Sequence, residues 1–156
     1  MTREALWPFA LEVYGRPGVE AVLLELQDAH GQCVPFLLWS LWMAASGRVA
    51  SPAKIASCAE LSRAWQDAAV APLRTLRRHL KRPAGPKSAE ARTRIRAGVK
   101  ALELDAERML LQMLEEASPP PGEASADAPE SLRLAVRGWG AEAPATLLEQ
   151  LARLAA

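Results

Sequence analysis

A chain of 156 residues can bury a core of its own, and its make-up, half hydrophobic and 24% charged, excludes a disordered or collagen-like chain. The net charge of +1 excludes a uniformly basic or acidic protein, and two cysteines, Cys33 and Cys58, exclude a disulfide scaffold and lack the spacing of a metal site. Ala, Leu, Arg and Glu dominate while β-branched residues are scarce, so propensity favours helix nearly everywhere.

The first expected helix covers "REALWPFALEVY", with Thr2 as its candidate N-cap and Pro8 confining its start to the region of Leu6 or making its first turn irregular. "GRPG" is a turn. "VEAVLLELQDAH" follows, with an apolar face at Val19, Val22, Leu23 and Leu26 and with Gly31 as its C′ residue. A third helix, about Val34 to Ala45, is apolar nearly all round and belongs at the centre of the fold. The stretch Cys33 to Ser46 is shorter than the roughly 20 residues needed to span a bilayer. No secretory pattern opens the chain, and a cytoplasmic location is expected.

Ser51 and Pro52 then start a helix that runs to Arg82 with one interruption at Pro72. The apolar positions Trp65, Ala69, Leu73, Leu76 and Leu80 share one side, so a kink fits better than a break. "RPAGPKS" is a loop. The longest helix, about Ala89 to Ala117, carries the stripe Ile95, Val99, Leu102, Ala106, Met109 and Met113. "SPPPGEASADAPE" has little to bury and reads as a mobile acidic linker. Pro144 opens a last amphipathic helix. The expected fold is a single all-α domain, a bundle of about five to seven helices kinked near Pro72. Residues 1–117 form its core, 118–130 the linker, and 131–156 a helical segment that packs on the core or on a partner.

Charge is segregated along the chain. Arg74 to Lys100 holds ten basic residues against Glu90, whereas Ala101 to Glu130 holds eight acids against Arg108. Glu103 and Glu107, one turn apart and bordered by apolar stripes, need partners, because uncompensated buried carboxylates are costly. Arg74, Arg77 and Lys81 on the preceding helix are the nearest cations. The remaining cations, Arg78, Arg82, Lys87, Arg92, Arg94 and Arg96, gather around the loop and form the candidate site for an outside anion or partner.

The segments "LWPFALEVYGRPGVEAVLLELQDAHGQCVPFLLW", "PLRTLRRHLK" and "VKALELDAERMLLQML" resemble a family of small proteobacterial proteins of unknown function, over residues 5 to 116. The resemblance implies a bacterial, cytoplasmic, helical protein and carries over no activity. Pro35 and Phe36 stand where that family often has a polar residue.

No catalytic constellation, cofactor motif or metal set is read from the residues. A di-iron bundle would need His three residues after Glu, and neither His30 nor His79 meets that spacing. Asp28 and His30, two apart at a helix end, do not face each other. The leading expectation is a non-catalytic interaction or adaptor protein whose partner is a protein, including a second copy of itself. A nucleic-acid or ribosome-associated binder using Arg78 to Arg96 is the alternative, resting on basic residues alone. A third reading is an apolar-ligand binder or an enzyme with a pocket around Trp39, Trp42 and Trp65.

Overall fold

The computed structural model describes residues 4–83, 85–123 and 125–156. The chain is all-α. The described residues form α1 (Leu6–Tyr14), α2 (Val19–His30), α3 (Val34–Ala45), α4 (Pro52–Trp65), α5 (Ala71–Leu80), α6 (Ala89–Glu116), α7 (Ala128–Trp139) and α8 (Ala145–Ala155). α4 and α5 are joined through a π-helical turn, Gln66–Val70, so seven separate helices result. Pro72, in the first turn of α5, explains that turn. Its ring has no N–H to donate and crowds the carbonyl four residues back, and widening the preceding backbone by one residue relieves both problems. Thr2 lies outside the described residues. α1 begins at Leu6, where Ala5 offers no side-chain cap and the Leu6 amide donates instead to Glu115 Oε2 at 3.0 Å.

Two compact units are present: Met1–Ser62 with Leu111–Ala156, and Arg63–Leu110. In the first, α3 is the centre, as its all-round apolar sequence requires. Every residue from Val34 to Ala44 is buried, and α1, α2 and α7 all pack on it. α8 packs on α2 and α7, burying Leu148, Leu151 and Ala152. Thus α7 and α8 belong with α1 to α3. Gly18 (φ +85°) and Gly31 (φ +61°) bracket α2 in the left-handed region that other residues avoid. Ser51 caps α4, accepting from the Lys54 amide at 3.1 Å.

The segment between α6 and α7, read from composition as a mobile linker, is a strap held on the end of α3. The Gly122 amide donates to the Ser46 carbonyl (3.2 Å) and the Ala126 amide to the Ala44 carbonyl (2.9 Å). The Ser125 hydroxyl donates to the Ala45 carbonyl at 3.4 Å, and Arg48 donates to the Pro119 carbonyl. A helix C-terminus always leaves carbonyls without intrahelical donors, and here the strap's backbone supplies them. Asp127 closes the strap by capping α7, its Oδ2 accepting from the Glu130 amide at 3.1 Å.

The second unit is the π turn, α5 and α6 as far as Leu110, together with the last turn of α4. The stripe expected to face inward along α6 is divided. Val99 and Ala106 are buried, but Ile95 (58% exposed), Leu102 (56%) and Met109 (51%) face solvent. The buried face of α6 within this unit is Val99, Glu103, Ala106 and Leu110, about a quarter-turn round from the exposed line.

Candidate functional site

The second unit concentrates charge. It holds twelve Lys and Arg against five Asp and Glu, +7 in a chain whose total is +1. The other unit is correspondingly acidic, with seven bases against thirteen acids.

Arg74 and Arg77 of this unit are engaged with its glutamates. Arg74 donates through Nε to Glu103 Oε1 at 3.0 Å and through Nη2 to Glu107 Oε1 at 3.3 Å. Arg77 donates through Nε to Glu103 Oε2 at 2.5 Å and through Nη2 to Oε1 at 3.4 Å. The pairing of 74 with 107 and 77 with 103 sets α5 and α6 antiparallel, consistent with the short connection between them. Glu103 is 7% exposed, so both of its oxygens are satisfied by guanidinium groups rather than by water. Burial pushes the Glu103 carboxyl upward, but the hydrogen bonds and charges of Arg77 and Arg74 outweigh it and hold it below the ordinary glutamate value. Glu107 goes the other way. Its burial dominates and the Glu103 charge adds to it, so its proton is held more tightly despite Arg74. Arg77 is raised by its hydrogen bond to Glu103. Lys81 is not part of this cluster. It lies exposed at the C-cap of α5, past the last turn that faces the glutamates, and makes no ion pair among the described residues.

The outward-facing cations form a separate group. Arg78, Lys81, Arg82, Lys87 and Arg94 are exposed, while Arg92 and Arg96 are half-buried near the start of α6. Arg92 donates through Nη2 to the His79 carbonyl at 3.0 Å, bracing the α6 start against the end of α5. The buried Nε of Arg92 and of Arg96 meets no acceptor.

The three tryptophans expected around a pocket divide between the two units. Trp39 and Trp42 are 1% exposed and serve the core of the first unit. Trp39 Nε1 donates to the Ser118 hydroxyl and Trp42 Nε1 to the Glu4 carbonyl, each at 2.8 Å. The Arg48 guanidinium lies 4.2 Å from the centre of the Trp42 ring. Trp65 belongs to the second unit and donates to the Ala106 carbonyl at 2.8 Å. An apolar cavity of about 170 Å³ in the first unit is lined by Trp39, Met43, Val49, Ile55 and Leu134, with Arg48 at its wall. Most of its lining comes from residues after Arg48, and no periodicity in the sequence announces it.

Comparison with known proteins adds the family. A family model described as "Protein of unknown function (DUF2390)" matches residues 5–114. The chain belongs to this family. No curated protein and no solved structure matches the chain. The DUF2390 match takes in the whole arginine–glutamate cluster and the basic turn between α5 and α6, and it ends before the strap, α7 and α8. Among the described residues no helix is long and apolar enough to cross a membrane.

Proposed function

We propose that this DUF2390 protein is a non-catalytic interaction protein whose α5–α6 hairpin receives an acidic amphipathic helix of a partner protein. The carrying observation is the line Ile95, Leu102 and Met109. These residues recur every seven, are each more than half exposed, and stand in a unit of charge +7. Exposed Ile, Leu and Met along one face of a helix favour an apolar covering, and the charge of the unit favours one that is negative. Ala91 and Gly98 extend the same face with little bulk, which leaves room for a helix to approach closely. We place the protein in the reducing cytoplasm of a bacterium, a reading supported by its having two buried cysteines and no disulfide framework.

The test is a photo-reactive residue at position 102 of the full chain, with cross-linked segments mapped by mass spectrometry from its native cells. The reading expects recurrent segments of net negative charge with apolar residues at i, i+3 or i+4, and i+7, lost on Ile95→Glu. Nuclease-sensitive adducts instead would assign the surface to nucleic acid, and adducts with no acidic bias would refute the reading.

A further inference from the structure

Arg92 and Arg96 stand one turn apart on the side of α6 that carries Val99 and Glu103, where the hydrogen bond from Arg92 to the His79 carbonyl ties it to α5. Their Nε atoms are out of solvent contact and meet no acceptor. Arg96 has no hydrogen-bond or ion-pair partner among the described residues, and the one acceptor of Arg92 is a neutral carbonyl. The carboxylates on this face, Glu103 and Glu107, are already taken by Arg74 and Arg77. The one acid near the start of α6, Glu90, is exposed and lies roughly 160° round the helix from Arg92 and roughly 120° round from Arg96. Two half-buried guanidinium groups side by side without a counter-charge are unfavourable, and a structure retains them where something completes them.

We infer that Arg92 and Arg96 bind a phosphate group carrying two negative charges, as inorganic phosphate or as a phosphomonoester. A dianion neutralises both guanidinium groups, whereas a single carboxylate would neutralise one. Its tetrahedral oxygens also suit guanidinium donors presented from adjacent helical turns. The exposed Arg78, Lys81, Arg82, Lys87 and Arg94 surround the same end of the hairpin and raise the local concentration of anions. This site is independent of the apolar line on α6 and stands or falls separately from it.

Titration of the full chain with inorganic phosphate at constant ionic strength, followed through the Nε–H resonances of ¹⁵N-labelled arginine, tests the site. Saturable shifts of the Arg92 and Arg96 resonances are expected, with affinity falling about tenfold or more in Arg96→Gln and in Arg92→Gln, since each loses a charge-assisted bond. Arg96→Lys, which keeps the charge and the fold but lacks Nε, should weaken binding similarly. Arg94→Gln, an equal loss of charge at an exposed position, should change it less than about threefold. A nucleoside monophosphate binding as tightly as inorganic phosphate assigns the site to phosphomonoesters. Tighter binding of single-stranded RNA that is likewise lost in Arg96→Gln overturns the dianion and assigns the site to singly charged phosphodiesters. No saturable shift up to about 10 mM phosphate overturns the inference, that being weaker than a built site would give. Equal losses in Arg94→Gln and Arg96→Gln, or RNA binding indifferent to Arg96, overturn it as well.

Discussion

Glu103→Gln is the perturbation that most sharply tests how α5 is held on α6. The carboxylate accepts from Arg74 Nε at 3.0 Å and from Arg77 Nε and Nη2 at 2.5 and 3.4 Å, and its side chain is 9% exposed. Glutamine keeps one acceptor oxygen but turns an NH₂ toward a guanidinium, and both arginines lose their counter-charge. Breaking a fully buried ion pair by removing one partner costs about 3–5 kcal/mol. The arginine side chains here retain 17% and 24% of their exposure, so water recovers part of that, and about 2 kcal/mol is expected. With a urea m-value near 2 kcal/mol/M the unfolding midpoint should fall by roughly 1 M. The natural probe is Trp65, the tryptophan of the second unit, bonded to the Ala106 carbonyl. Its ¹⁹F resonance after fluorotryptophan labelling, assigned through Trp65→Phe, reports this unit separately from Trp7, Trp39, Trp42 and Trp139.

Glu107→Gln provides the contrast. Glu107 keeps one bond, 3.3 Å from Arg74 Nη2, with 27% of its side chain exposed, and the folded environment favours its protonated form. The substitution should leave stability within about 0.5 kcal/mol of wild type. Acidity should separate the two variants. Glu103 is lowered on folding, so its stabilisation is complete above the ordinary glutamate value of about 4.3 and is lost as pH falls through its lower folded value. The gap between wild type and Glu103→Gln therefore closes only in strong acid. Glu107 is raised, so its ionisation costs stability as pH climbs from that ordinary value through its higher folded one. Equal midpoints for Glu103→Gln and Glu107→Gln at neutral pH, or a Glu103→Gln midpoint at wild type, would refute this account of the cluster.

Other expectations bear on other parts of the molecule. Gly122→Ala would place a Cβ 2.2 Å from the Gly47 carbonyl oxygen, a backbone atom that cannot swing aside, so the strap should lift from α3. A loss of about 1–3 kcal/mol and new protease cleavage between residues 118 and 127 are expected, and unaltered digestion would contradict the strap. Ile95→Glu, at a position 58% exposed, should leave the unfolding midpoint within about 0.5 kcal/mol of wild type while abolishing cross-linking from position 102 to a partner. Cys33 and Cys58 are buried, and burial pushes the Cys58 thiol up against the smaller opposing effects of Lys54 and Ser57. Both thiols should therefore resist a thiol reagent in the native state and react once urea unfolds the chain; reaction of Cys58 in the native state would mean that α4 opens locally.

Most helix boundaries were legible because their signals are local. Ser51 and Pro52 start α4, Gly31 ends α2, and the uninterrupted apolar residues of α3 leave it nowhere to go but the centre. The need of Glu103 for cations was also legible, since a carboxylate between apolar stripes requires them. That Lys81 would take no share was not, because it depends on where the last turn of α5 stops. The strap was illegible for a related reason. Its Pro-, Ala- and acid-rich composition says that it has little to bury, but not that the carbonyls of Ala44 and Ser46 would accept its backbone amides and that of Ala45 its Ser125 hydroxyl. Backbone hydrogen bonding carries no side-chain signature.

The face of α6 was the least legible feature and has the largest consequence. Two apolar lines lie side by side on this helix, Ile95–Leu102–Met109 and Val99–Ala106–Leu110, and hydrophobicity alone favours the first, which has the larger side chains. Glu103 decides between them. It sits beside the second line, and because Arg74 and Arg77 on α5 both reach it, Val99, Ala106 and Leu110 are the residues carried inside. A buried ion pair is weak evidence of net stability, and an apolar replacement of similar volume would serve as well. What it supplies here is a choice of rotation about the helix axis. That choice leaves Ile95, Leu102 and Met109 in solvent and turns Arg92 and Arg96 toward the start of the hairpin, where no carboxylate remains for them. The internal pairing of two cations thus determines which surface, apolar and basic, the remaining ones have to offer.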